Sequence, residues 1–143
     1  DGILTALEIS ALDLSKVDTV VLSACETGLG EVAGGEGLLG LQRSFQVAGA
    51  KTVVASLWKV PDAATSELMQ RFYANLWDRK MGKLAALREA QLWMLREGVK
   101  KPELRRGLDL VSTEAPPEDK PASGVPGLPP YYWAAFVLSG DWR

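Results

Sequence analysis

An α/β layered sheet is the fold class this sequence predicts, and three observations carry the prediction. Three short apolar runs, at residues 17–24, 51–58 and 131–140, are too continuous for half-exposed strands and have strand length, as expected of buried strands. Between the second and third runs lie two segments with apolar residues at helical spacing. A glycine-rich turn joins the first run to a further helical pattern, so strand, loop and helix follow one another as a βα unit.

Taken in order, residues 4–14 carry Leu4, Leu7, Ile9, Ala11, Leu12 and Leu14, with Thr5 as a cap, and predict a short helix. VDTVVLSA (17–24) is the first strand and sets Cys25 at its C-terminal end. The segment ETGLGEVAGGEG (26–37) holds five glycines in twelve residues. Leu38, Leu39, Leu41, Phe45, Val47 and Ala48 then describe a helix closed by Gly49. KTVVASLW (51–58) repeats the strand pattern, and a right-handed crossover is the default geometry. Leu68, Met69, Phe72, Tyr73, Leu76 and Trp77 form the apolar stripe of a long helix over 62–79, and its Met and aromatic side chains read as core. Leu84, Leu87, Ala90, Met94 and Leu95 give a second helix over 83–97, ended by Gly98, so the two form a hairpin around Gly82.

From 100 to 130 the periodicity disappears and seven of the eight prolines occur, which predicts a mobile Pro-rich insertion at about 100–130. YYWAAFVLSG (131–140) completes a set of about three mainly parallel buried strands. A sheet of three strands has unprotected edges, so further strands are expected outside this chain, and the chain by itself is expected to form a homodimer or to exchange strands.

Composition limits the chemistry. The chain has 143 residues, 47% hydrophobic and 24% charged, which fits one globular domain. Sixteen Lys and Arg against eighteen Asp and Glu give a net charge of −2, without the basic footprint of a nucleic-acid binder. No apolar run approaches the roughly 20 residues of a membrane span. These features predict a soluble protein, with the cytoplasm as the favoured compartment. One cysteine and no histidine exclude an internal disulfide, the usual zinc sites and any complete Ser-His-Asp or Cys-His apparatus within this chain; no metal or cofactor is expected. The sequence opens on Asp1-Gly2 without a starting Met or a signal-peptide pattern, so a fragment or processed product is expected.

Cys25 closes a predicted strand of an open α/β sheet, the rim where ligand crevices form. A helix N-terminus nearby would favour its thiolate, and its own N–H would stabilise an oxyanion in acyl transfer. The alternative is a small buried hydrophobe finishing a strand. Gly28-Leu29-Gly30-Glu31-Val32-Ala33 satisfies the permissive dinucleotide fingerprint, but Glu31 and Glu36 would repel a phosphate and the loop has no Lys or Arg. Its glycines also serve close packing over the sheet rim. Ser56 to Asp62 leaves the second strand, where it would line a substrate groove with Trp58 as an apolar wall and Asp62 attracting a basic side chain. Asp62 is equally read as the N-cap of the long helix.

The segments LSACETG, GEGLLGL, AGAKTVVASLWKV, LMQRFY, ALREAQLWM and PPYYWAAFVLSG, in that order, closely resemble the CHAT domain, a caspase-like domain often found beside tetratricopeptide repeats. The resemblance covers the chain outside the Pro-rich stretch and implies the C-terminal half of a caspase-like α/β/α sandwich. It implies a clan CD cysteine peptidase with Cys25 as nucleophile and a protein or peptide as substrate. Glu26, Thr27 and Gly28 continue the family's motif and would shape the turn that presents the thiol and its oxyanion donor. Ser56, Trp58 and Asp62 would border the substrate, Asp62 facing a basic residue before the scissile bond. The family's catalytic His-Gly motif has no counterpart here, so the upstream segment that carries the His would be an obligatory partner and this chain alone inactive. A non-catalytic pseudo-peptidase, acting as a protein-interaction module, is the competing reading.

Overall fold

The structure, a computed structural model, describes residues 4–22, 37–102, 104 and 127–143. They form two compact units, Asp1–Lys59 with Ala135–Arg143, and Val60–Ala134.

In the first unit, helix α1 (Ala6–Ser10) begins with a capping box. The Thr5 hydroxyl accepts the Glu8 N–H at 3.3 Å, and the Glu8 carboxylate accepts the Thr5 N–H at 2.7 Å. That second bond, together with the Thr5 hydroxyl, holds Glu8 below the usual carboxylate range. The helix is shorter than the apolar spacing suggests. Asp13 accepts the Ser15 hydroxyl at 2.6 Å and the Ser15 N–H at 3.1 Å, and this local turn competes with helix continuation.

Strand β1 (Thr19–Leu22) pairs in parallel with β2 (Thr52–Ser56), Thr19 beside Thr52 and Leu22 beside Ala55. Helix α2 (Gly37–Val47) connects them and packs against β2. Gly49 turns the chain out of α2 at φ +109°, with the Ser15 backbone so close that a Cβ would stand 2.8 Å from its nitrogen. Every residue of β2 is buried, as its β-branched run requires. Strand β3 (Phe136–Gly140) adds on the other side of β2, giving the order β1-β2-β3.

β3 runs antiparallel to β2, from Ser56 beside Phe136 to Thr52 beside Gly140, so the expected sheet of about three mainly parallel strands is a mixed one with a parallel β1–β2 pair. Its strand also starts five residues later than the apolar run. Pro130 opens a single 3-10 turn, Pro130–Tyr132, and its carbonyl accepts the N–H groups of Trp133 and Ala134. Tyr132 is buried, which accounts for the apolar character of this stretch without a strand. At the far end Gly140 takes φ +102° against the Lys51 carbonyl, a position open only to glycine.

The second unit is built on the expected hairpin of α3 (Asp62–Trp77) and α4 (Lys83–Glu97). Ala64, Leu68, Phe72 and Asn75 are buried along α3, and Ala86, Leu87, Ala90 and Met94 along α4, spacings that put each set on one helix face. The predicted aromatic stripe divides. Phe72 is core, whereas Trp77 is 64% exposed and stacks on Tyr73 at 4.7 Å between ring centroids. Beyond α4, Gly98 lies under Leu104 and Leu128, and a Cβ there would stand 2.9 Å from the Leu128 side chain. The Leu128 N–H donates to the Leu95 carbonyl, and the Trp133 indole to the Leu128 carbonyl at 2.8 Å. Most of the predicted Pro-rich insertion lies outside the described residues.

Candidate functional site

The parallel register fixes what can meet at the sheet rim. β1 and β2 point the same way, so Leu22, three residues before Cys25, ends beside Ala55. Ser56 follows at the same end, fully buried, and the next N–H, of Leu57, donates to the Ala135 carbonyl at 2.8 Å. Trp58 is half-buried just past this rim, between the exposed Leu57 and Lys59. Ser56 and Trp58 thus leave the C-terminal end of the central strand, where open α/β sheets place their crevices. Cys25, Glu26, Thr27 and Gly28, and the permissive dinucleotide fingerprint at Gly28–Ala33, lie outside the described residues.

Asp62 belongs to the second unit and is exposed at the first position of α3. The expected N-cap is displaced by one residue. Pro61, extended at φ −54° and ψ 140°, holds that place, and its carbonyl accepts the Thr65 N–H at 3.0 Å. Asp62 makes no side-chain cap; its carboxylate complements the positive end of the helix dipole. Ser56 and Trp58 in one unit and Asp62 in the other are therefore two separately positioned groups.

The most elaborate polar arrangement among the described residues escaped the sequence reading. Glu89 of α4 accepts Arg71 Nε at 3.0 Å and Arg71 Nη2 at 2.8 Å, and it also accepts Asn75 Nδ2. Asn75 Nδ2 reaches the Ala86 carbonyl at 3.0 Å as well, and Arg79 stands 3.6 Å from the same carboxylate. The Arg71 hydrogen bonds, more than the Asn75 bond and the charges of Arg71 and Arg79, hold Glu89 below the usual carboxylate range against the opposing effect of burial. The Arg71 guanidinium is correspondingly pushed up by its Glu89 hydrogen bonds. A carboxylate so saturated is no proton carrier near neutrality; it clamps α3 to α4. Arg71 and Lys101 each lie over the Trp93 ring, at 5.5 and 5.6 Å, and Lys101 also pairs with Glu67 at 3.3 Å. The signal in sequence is only an acid and a base on facing helices.

Among the described residues no group of three or more His, Cys, Asp or Glu could hold a metal ion, and no helix is long and apolar enough to cross a membrane. Among the described residues three buried side-chain polar atoms lack a partner: Gln42 Nε2, Asn75 Oδ1 and the Tyr132 hydroxyl, whose pKa burial pushes up.

The model of the CHAT domain matches residues 1–141. Tetratricopeptide repeat protein 28 of Mus musculus is 42% identical over 74 residues, covering 52% of this chain and 3% of that protein. The protein of the same name from Homo sapiens is 38% identical over 74 residues, with the same shares. The matched region is thus a small part of these curated relatives. No solved structure matches the chain significantly.

Proposed function

Because the chain belongs to the CHAT domain family, a caspase-like, peptidase-related module, we propose that it is the C-terminal, nucleophile-bearing portion of a caspase-like cysteine peptidase. The observation that carries this reading is the family match over residues 1–141, which includes Cys25-Glu26-Thr27-Gly28. The parallel register of β1 and β2 supports it, since Leu22, Ser56 and Trp58 border the rim at which a crevice forms.

In the proposed reaction the Cys25 thiolate attacks the scissile carbonyl carbon, and the charge that develops on oxygen is met by the Cys25 N–H and a second donor. The peptide C–N bond breaks as the amine takes a proton from a histidine, and water then hydrolyses the thioester. The chain contains no histidine, so this group comes from a segment outside residues 1–143. Glu26, Thr27 and Gly28 shape the turn, and Ser56 and Trp58 border the substrate protein or peptide.

Cleavage of a peptide library by the protein carrying the upstream His-Gly segment tests this. Cys25→Ala and the His variant should each lower kcat/KM by at least about 10³-fold with little change in KM, as for a nucleophile and its base. Full activity in Cys25→Ala would reject the assignment. The absence of histidine and the repeat-protein names of the relatives favour a second reading, a non-catalytic interaction module beside tetratricopeptide repeats. No cleavage by the complete domain, together with retained partner binding, would establish that alternative.

A further inference from the structure

Of the three buried side-chain atoms without a partner among the described residues, one belongs to the unit that holds the Ser56 rim: Gln42 Nε2, on a side chain 6% exposed. A buried amide donor left unpaired costs about as much as a lost hydrogen bond. A methionine would fill the same space without that cost. Helix geometry says where the amide stands. α2 leads from the end of β1 to the start of β2, and the two strands are parallel, so α2 runs back against them with its first turn at the Ser56 rim. Gln46 fixes the level: its Nε2 donates to Ser139 Oγ at 2.6 Å, and Ser139 stands beside Val53. Gln42 is one turn, about 6 Å, nearer the first turn, and two strand residues span about the same distance. Its amide is therefore level with Ala55 and Leu22, the last pair of the parallel ladder. Because a helical side chain leans toward the N-terminus of its helix, the amide points on toward the rim.

We infer that Gln42 serves the proposed peptidase site, donating its amide N–H to a peptide carbonyl oxygen that comes to this rim when the site is engaged. The inference rests on the peptidase reading. An uncharged amide donor suits an uncharged carbonyl acceptor, and a buried donor without a partner is retained where an acceptor arrives in the working state. Two peptides present such a carbonyl. One joins β1 to α2 and carries Cys25; it begins and ends at this rim, because β1 ends and α2 starts there. With that acceptor Gln42 is a positioning residue for the nucleophile. The other peptide is the substrate, and with that acceptor Gln42 is a binding residue.

Gln42→Met tests the inference in the protein carrying the upstream His-Gly segment, beside Cys25→Ala. The substitution keeps length and burial and removes only the donor. Melting should be no lower than wild type, while kcat/KM should fall at least about tenfold. Iodoacetamide alkylation of Cys25 across pH, read on its tryptic peptide in the absence of substrate, separates the two acceptors. A carbonyl of the Cys25 peptide gives a lower kcat and a displaced alkylation profile. A substrate carbonyl gives a raised KM and an unchanged profile. Wild-type kinetics and alkylation in Gln42→Met, with Cys25→Ala inactive, would overturn this inference and leave the peptidase reading standing. Lower melting in both Gln42→Met and Gln42→Leu would give the amide a partner within the fold and overturn it as well. Full activity in Cys25→Ala would remove the reading on which it rests.

Discussion

Replacing Glu89 should open the α3–α4 hairpin more than any other single surface change. Its carboxylate accepts two hydrogen bonds from Arg71 and one from Asn75, with Arg79 at 3.6 Å. Hydrogen bonds to a charged group contribute about 1.5–3 kcal/mol when buried. The Arg71 and Glu89 side chains are 27% and 30% exposed, so solvent screening reduces the pair toward about 1 kcal/mol. Asn75 Nδ2 keeps the Ala86 carbonyl at 3.0 Å and is not orphaned. Adding the loss of the Asn75 bond, Glu89→Ala should cost about 2 kcal/mol, and Glu89→Gln, which retains an acceptor oxygen, about half of that. In urea denaturation the midpoint should fall with an unchanged m-value. The pH dependence is a second readout. Because folding holds Glu89 below its ordinary value, its stabilisation is complete above the unfolded pKa of about 4.3 and is lost as pH falls through the lower folded value. The advantage of wild type over Glu89→Gln should therefore be full at pH 7 and shrink in acid. A Glu89→Ala difference below about 0.5 kcal/mol, or an advantage over Gln that stays constant down to pH 2, would refute the reasoning.

Two further outcomes follow from backbone geometry. Gly140→Ala should destabilise the sheet by at least about 2 kcal/mol, since φ is +102° and the added Cβ meets the Lys51 carbonyl; a Tm equal to wild type would contradict that contact. Gly49→Ala should likewise cost at least about 2 kcal/mol, since φ is +109° and the added Cβ would stand 2.8 Å from the Ser15 backbone nitrogen; an unchanged urea midpoint would contradict that packing.

How far sequence leads to structure differs by element, for identifiable reasons. The bounds of α4 were readable because Gly82 and Gly98 flank one periodic stripe, and the cap of α1 because Thr5 is a favoured cap residue at the head of its apolar positions. The direction of β3 was not, since an apolar run has the same composition in either orientation and the long connection from β2 allows both. Tyr131 to Ala135 misled for a related reason: burial in a turn and burial in a strand select the same residue types. Asp62 is a favoured cap by residue type, yet the extended Pro61 before it takes the position. The Arg71–Glu89 clamp joins residues eighteen apart and depends on how two helices cross, which composition does not encode. Of the candidate site, Ser56 and Trp58 emerged at the expected strand end because the parallel register follows from the βα unit. The role proposed for Cys25 rests on the family motif and on its place after the first strand.

The reversed third strand decides which side of the sheet can be handled without disturbing the other. After Gly140 the chain returns to the start of β2, where the Asp141 N–H donates to the Lys51 carbonyl at 2.8 Å and the Thr52 hydroxyl to the Asp141 carbonyl. Ser56 stands at the opposite end of β2, on the order of 15 Å away at the rise of an extended strand. An affinity handle, fluorophore or surface tether attached after Arg143 would therefore be anchored at the rim away from Ser56.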